Sequence, residues 1–124
     1  MAEQEPITII LTSVGTETQA VEISEELVHR GLATCINIVS CLRSIYRWKG
    51  KVCSDSEYLL FIKTRAALFP QVADAIRELH SYELPEILAF PVTHAEATFH
   101  QWVVEMASGT LAATDSQEDL PAYD

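Results

Sequence analysis

The chain has 124 residues, of which 48% are hydrophobic and 21% charged, and its formal net charge is −10 at pH 7. This length and composition fit one globular domain with its own core. The acidic excess argues against a nucleic-acid partner, which requires clustered Lys and Arg. No apolar run approaches the roughly 18 residues of a membrane span. Because the acidic N-terminus also lacks a signal-peptide pattern, we expect a cytoplasmic protein with no membrane partner.

The first predicted elements are a strand and a helix. Residues 7–11 (ITIIL) are mostly β-branched, as is typical of a buried strand. Thr16 and Gln19 have the spacing of a capping box. Apolar residues then recur at helical spacing until Gly31, which suits the left-handed position that ends a helix.

Two long strands and a second helix are predicted next. Residues 33–45 and 52–64 alternate in strand fashion, and Gly50 between them can adopt the positive φ of a tight turn. Helical spacing returns over residues 66–80, where Pro70 is tolerated in the first turn.

A fourth strand and a third helix complete the pattern. Residues 86–92 read as a strand, and Pro91 indicates an edge or a bulge. Thr93 and Glu96 have the form of a second capping box that opens a helix, and Gly109 ends that helix.

The order of elements predicts an α+β fold of the ferredoxin-like βαββαβ type with an added C-terminal helix. We expect this single domain over residues 1–111. An acidic tail over residues 112–124 is expected to be disordered.

The two hairpin strands are predicted to be apolar on both faces. With uninterrupted pairing from a turn at Lys49 and Gly50, one face carries Ile36, Ile38, Leu42, Leu59 and Phe61. The other face then carries Cys35, Val39, Cys41, Ile45, Tyr58, Leu60 and Ile62. Such a surface is larger than a monomer usually exposes, so we expect sheets to pack together in an oligomer. Alternatively, the C-terminal helix covers part of it and the rest stays exposed.

The hairpin tip, residues 44–51 (SIYRWKGK), holds Tyr46 and Trp48 among three cationic side chains. Aromatic residues at a tip gain little from their own core, so they often contact a ligand or a neighbouring subunit. Both interpretations remain open for this segment.

Residues 79–87 (LHSYELPEI) can bring His80 and Glu86 to the same rim of the sheet. Imidazole with oxygen donors suits Cu(II) or another divalent metal. A third ligand would come from a thiol, from Glu57 or Tyr82, or from an adjacent chain. Alternatively, His80 only caps the helix and Glu86 is solvated.

The usual signatures of enzymes and zinc sites are missing from the sequence. It contains no H-E-x-x-H, C-x-x-C, Walker or G-x-S-x-G motif. The spacing of Cys35, Cys41 and Cys53 favours free thiols. An acid–base pair of His80 and Glu86 is the one enzymatic alternative. Because no nucleophile or substrate motif accompanies that pair, we assign no catalytic residue.

Four segments together resemble the CutA family of divalent-cation tolerance proteins. They are residues 32–38 (LATCINI), 44–51, 60–64 (LFIKT) and 79–87, and Trp102 in the last helix also matches. The resemblance implies a ferredoxin-like subunit in a homotrimer that is similar in architecture to the PII signalling proteins. It also implies binding of divalent metal, especially Cu(II).

Four positions depart from the pattern of that family. Ser81 stands where the family often has Pro, and Thr34 stands where it usually has Ala. Thr12 and Leu79 stand where some relatives carry Cys and His. If those side chains are ligands in the relatives, only His80 is retained here.

The leading hypothesis is a non-enzymatic, homotrimeric copper-binding protein without an organic cofactor. Its metal ligands would be His80 and Glu86, in a cleft between subunits. The predicted cleft or interface residues are Tyr46, Trp48, Glu57, Lys63, Tyr82 and Trp102. The alternative is a PII-like signalling protein that binds a protein partner and a metabolite, the latter near Lys49, Lys51 and Lys63.

Overall fold

The computed structural model describes residues 4–110 of the chain. Their elements are, in order, β1 (Ile7–Val14), α1 (Glu17–His29), β2 (Cys35–Trp48), β3 (Lys51–Arg65), α2 (Phe69–Leu79), β4 (Leu88–Pro91) and α3 (Ala97–Met106). A short 3-10 turn, Ala66–Leu68, precedes α2. The predicted tail, 112–124, lies outside the described residues, as does the predicted domain end at 111.

The four strands form one antiparallel sheet in the order β2-β3-β1-β4. Helices α1 and α2 cover one face of it, where the core is built from Ile10, Val14, Ile23, Leu27, Leu60, Ile62, Val72 and Ile76. The predicted ferredoxin-like α+β fold is therefore confirmed. The proline of β4 lies on an edge strand, where a missing N–H disturbs no sheet pairing.

Local sequence signals explain several element boundaries. The hydroxyl of Thr16 accepts a hydrogen bond from the Gln19 N–H at 3.1 Å, which caps α1 as predicted. Lys49 and Gly50 have φ angles of 50° and 81°. They form a two-residue turn between the paired residues Trp48 and Lys51.

Several predicted boundaries were wrong, among them those of β4 and α3. β4 covers only Leu88–Pro91 rather than residues 86–92. α3 is capped by Glu96 rather than Thr93, because the Glu96 carboxylate itself accepts the N–H groups of Thr98 and Phe99. These hydrogen bonds to the charged form lower the pKa of Glu96.

A β-bulge in β2 makes the predicted face assignment wrong. Leu42 pairs with Glu57, but Val39 pairs with Leu59, so two residues of β2 lie opposite one of β3. Cys41, one of these two β2 residues, has a φ of 63°. The one-residue shift exchanges the faces of Ile36 and Ile38 relative to β3, because side chains alternate along a strand.

The face away from α1 and α2 is apolar as well, and we call it the open face. Register and alternation place a set of large apolar side chains on it, including Ile9, Leu11, Val39, Leu42, Leu59, Phe61, Leu88 and Phe90. None of them is in the buried core cluster, and Leu88 and Phe90 are 48% and 50% exposed. The hairpin strands are thus apolar on both faces, as expected, with a different set of residues on each.

α3 borders only one end of the open face. Its Phe99 and Val103 line a hollow with Ile7, Ile9 and Lys63. Val103 is also fixed to the start of β2, since its carbonyl accepts a hydrogen bond from the Thr34 hydroxyl at 2.6 Å. The rest of the open face has no covering element among residues 4–110.

Candidate functional site

A cleft of about 820 Å³ lies where the β2-β3 hairpin meets the segment after α2. It is lined by five of the eight predicted site residues, namely Tyr46, Trp48, Glu57, Tyr82 and Glu86. Leu42 and Leu59 of the open face line it too, so the cleft and the open face are continuous.

Glu57 is the buried charge of the cleft, with 6% of its surface exposed. It accepts a hydrogen bond from the Tyr82 hydroxyl at 2.7 Å. Burial raises the pKa of Tyr82, and the hydrogen bond to Glu57 raises it further, so this phenol stays neutral. Among the described residues, Glu57 has no ion-pair partner. In the part of the chain that the structure describes, its carboxylate is therefore hydrogen-bonded only to a neutral donor.

The hairpin supplies a second pair of tyrosine and carboxylate. The Tyr46 hydroxyl donates a hydrogen bond to the Asp55 carboxylate, which raises the pKa of Tyr46 to about 12. Sequence reasoning missed Asp55. The turn at Lys49 and Gly50 could have revealed it, because that turn fixes Ser44 opposite Asp55 and puts Tyr46 on the diagonal.

His80 is buried behind the cleft rather than in its lining. The Tyr82 N–H donates to its Nδ1 at 3.0 Å, and its Nε2 lies 2.6 Å from the Ser13 carbonyl. Since Nδ1 accepts, the proton is on Nε2 and is donated to Ser13. His80 thus fixes the backbone of Tyr82, and either nitrogen would have to release a hydrogen bond to bind a metal.

Glu86 is exposed and lines the cleft. Two other predicted site residues, Lys63 and Trp102, lie outside the cleft. Lys63 donates a hydrogen bond to Asn37 and lies 3.9 Å from the Cys35 sulfur. Trp102 packs on Phe99 of α3, with ring centroids 5.6 Å apart. Neither residue lines the cleft of a single chain.

The three lysines of the alternative metabolite site, Lys49, Lys51 and Lys63, are also separated. The twelve residue-to-residue steps of strand from Lys51 to Lys63 span about 40 Å. Lys49 at the hairpin tip lies 4.0 Å from Glu83 instead.

Metal donors are sparse within one chain. In the part of the chain that the structure describes, no group of three His, Cys, Asp or Glu side chains could hold a metal ion. Cys35, Cys41 and Cys53 are free, as expected. A complete divalent-metal site is therefore not formed by the described residues of one copy.

The sheet order and the placement of the helices define a ferredoxin-like α+β protein. Its candidate site is a cleft lined by acidic and aromatic side chains. The family model described as CutA1 divalent ion tolerance protein matches residues 8–106, and the chain belongs to this family. No helix within residues 4–110 has the length and apolar character needed to cross a membrane.

The chain is similar to curated proteins from distant organisms. It is 40% identical to the human protein CutA over 105 residues, which are 85% of this chain and 57% of that protein. It is also 40% identical to the divalent-cation tolerance protein CutA of Thermus thermophilus over 97 residues, 78% of this chain and 94% of that protein. The chain thus spans little more than half of the human relative.

A solved structure shares the fold. The divalent cation tolerance protein (Cut A1) of Thermus thermophilus superposes with a TM-score of 0.78 at 39% identity, covering 80% of this chain and 96% of that one. That relative is named for tolerance of divalent cations and not for an enzymatic reaction.

Proposed function

We propose that this chain is a cytoplasmic, non-enzymatic, homotrimeric protein that binds divalent cations, copper among them, in clefts between subunits. The observation that carries the proposal is the buried Glu57 carboxylate, which lines a cleft continuous with the uncovered open face. Membership of the divalent ion tolerance family supports a cation as the ligand.

The open face supports assembly of several copies. A soluble chain rarely leaves a contiguous apolar surface of this kind in water. Within residues 4–110, both edges of the sheet also lack a neighbouring strand, and the β2 edge is 14 residues long. Pairing the β2 edge of one copy with the β4 edge of the next would close a symmetric ring. A neighbouring copy seated there would form one wall of the cleft.

Donors from two copies would complete the metal site. Glu86 is exposed in the cleft, and His80 would become available by releasing the Tyr82 N–H. Because one chain brings fewer than three donors together among its described residues, the neighbouring subunit has to supply the rest.

Calorimetric titration with Cu(II) tests the proposal. The variants His80→Ala and Glu86→Gln should lower the affinity about tenfold or more, whereas His29→Ala, an exposed control on α1, should leave it unchanged. Equal affinity in all four proteins would remove His80 and Glu86 from the site. Absence of Cu(II) binding by the wild-type oligomer would contradict the copper assignment.

A further inference from the structure

The charges that line the cleft are unbalanced. Among the described residues that line it, Glu57, Glu83 and Glu86 contribute three carboxylates, whereas Arg47 contributes the one basic side chain. Lys49, the nearest basic neighbour recorded for Glu83, lies at 4.0 Å and is largely exposed. The cleft therefore attracts positive charge.

Glu57 requires a positive partner more than the other two acids do. A carboxylate that is 94% removed from water is costly unless its charge is paired. The Tyr82 hydroxyl supplies one hydrogen bond but no charge. A cationic N–H donor entering the cleft would supply both.

The walls of the cleft also fit an organic cation. A volume of about 820 Å³ is that of a small-molecule site. Tyr46, Trp48 and Tyr82 line it with aromatic rings, which bind alkyl chains and attract ammonium groups. Divalent metals instead prefer several converging donors, and the described residues of one chain provide no such group.

We infer that the cleft binds an organic cation, an alkylammonium group that pairs with Glu57 while its carbon chain lies against Tyr46, Trp48 and Tyr82. This inference uses the cleft of the proposed function but not its metal ligands. The matching ligand is a primary amine with a short apolar stem.

Three probes that share one carbon chain test the inference on the wild-type oligomer by calorimetry. n-Hexylammonium should bind about tenfold more tightly than hexan-1-ol, because only the former has a charge-assisted hydrogen bond to offer. Hexanoate should not bind detectably, since its charge is repelled. Equal binding of the amine and the alcohol, or preferential binding of hexanoate, would overturn the inference.

Variants locate the site. Glu57→Gln keeps the shape and an acceptor for Tyr82, and it should weaken n-hexylammonium binding about tenfold. Trp48→Leu should weaken it without altering the charge. Glu22→Gln makes the same charge change on the exposed surface of α1 and should have no effect. A Glu57→Gln protein that retains its circular dichroism spectrum and binds the amine as wild type does would refute the pairing.

Comparing the calorimetric titrations of Cu(II) and of n-hexylammonium distinguishes this inference from the proposed function. Cu(II) binding that depends on His80 and Glu86, together with no amine binding, would leave the metal proposal standing and refute the amine site. Amine binding would also be absent if a basic side chain of a second copy occupied the cleft and paired with Glu57, and this too would refute the amine site. Amine binding without Cu(II) binding would refute the metal proposal and keep the inference.

Discussion

Thr12 lies at the centre of β1, with its side chain fully buried. Its hydroxyl has no hydrogen-bond partner among the described residues. An unpaired buried hydroxyl destabilises the native state, so removal of that group should be favourable. Thr12→Val should raise the free energy of unfolding by about 1 kcal/mol, measured by urea denaturation at fixed protein concentration.

Thr64 is the matched control for this substitution. It is equally buried on the same face of the sheet, but its hydroxyl donates to the Leu32 carbonyl at 2.6 Å. Thr64→Val should therefore lower the free energy of unfolding by about 1 kcal/mol. A destabilised Thr12→Val protein would show that the Thr12 hydroxyl has a partner in solution.

Tyr46 should make stability depend on alkaline pH. The phenol titrates at 10.0 in an ordinary setting and at about 12 in the fold, chiefly because it donates a hydrogen bond to Asp55. The folded chain holds this proton more tightly than the unfolded chain. The stabilisation is complete below pH 10 and is lost as pH rises toward 12.

Asp55→Asn should return the pKa of Tyr46 toward 10.0, as followed by ultraviolet absorbance of the tyrosinate. The corresponding loss of stability between pH 10 and 12 should shrink as well. Glu25→Gln on the exposed surface of α1 controls for the change in net charge. If the pKa of Tyr46 were unchanged in Asp55→Asn, the hydrogen bond would not be its cause.

At the scale of the element, the β2 bulge holds Cys41 in a left-handed conformation, with a φ of 63°. A side chain with a Cβ atom is strained there, and Cys41 is exposed, so its side chain adds little packing. Cys41→Gly should raise the free energy of unfolding by about 1 kcal/mol. Cys53→Gly, in the regular part of β3, should lower it by a similar amount, about 1 kcal/mol. Destabilisation of equal size in both variants would contradict a strained bulge.

Elements with strong local signals were predictable from the sequence. The Thr16 cap, the positive φ of Gly31 and the hairpin turn at Gly50 each follow from the chemistry of one or two residues. The bulge was not predictable in this way. Neither Ser40 nor Cys41 is a glycine that would signal left-handed backbone, and alternation looks equally regular on both sides of them.

The candidate site was predictable in its composition more than in its geometry. The family-like segments contain four residues that do line the cleft, namely Tyr46, Trp48, Tyr82 and Glu86, because the hairpin tip and the segment before β4 meet at one rim. The burial of His80 depends on the Ser13 carbonyl, which is 67 positions away in the chain and carries no sequence signal. The position of Lys63 depends on the register of a long strand.

At the scale of the whole molecule, a charge on the open face should prevent assembly. Phe61→Glu would place a carboxylate beside Leu11 and Leu59 of the open face, where burial against a second copy is costly. The variant should sediment as a single chain and lose Cu(II) binding. Val21→Glu, the same kind of change on the exposed side of α1, should leave the sedimentation coefficient unchanged.

Sedimentation equilibrium of the wild-type protein at micromolar concentration is the most direct measurement, because a cleft between subunits requires subunits in contact. We predict a mass three times the 13.8 kDa of one chain. A well-folded species of 13.8 kDa would contradict the account, since each cleft would then open to water with no neighbouring donors.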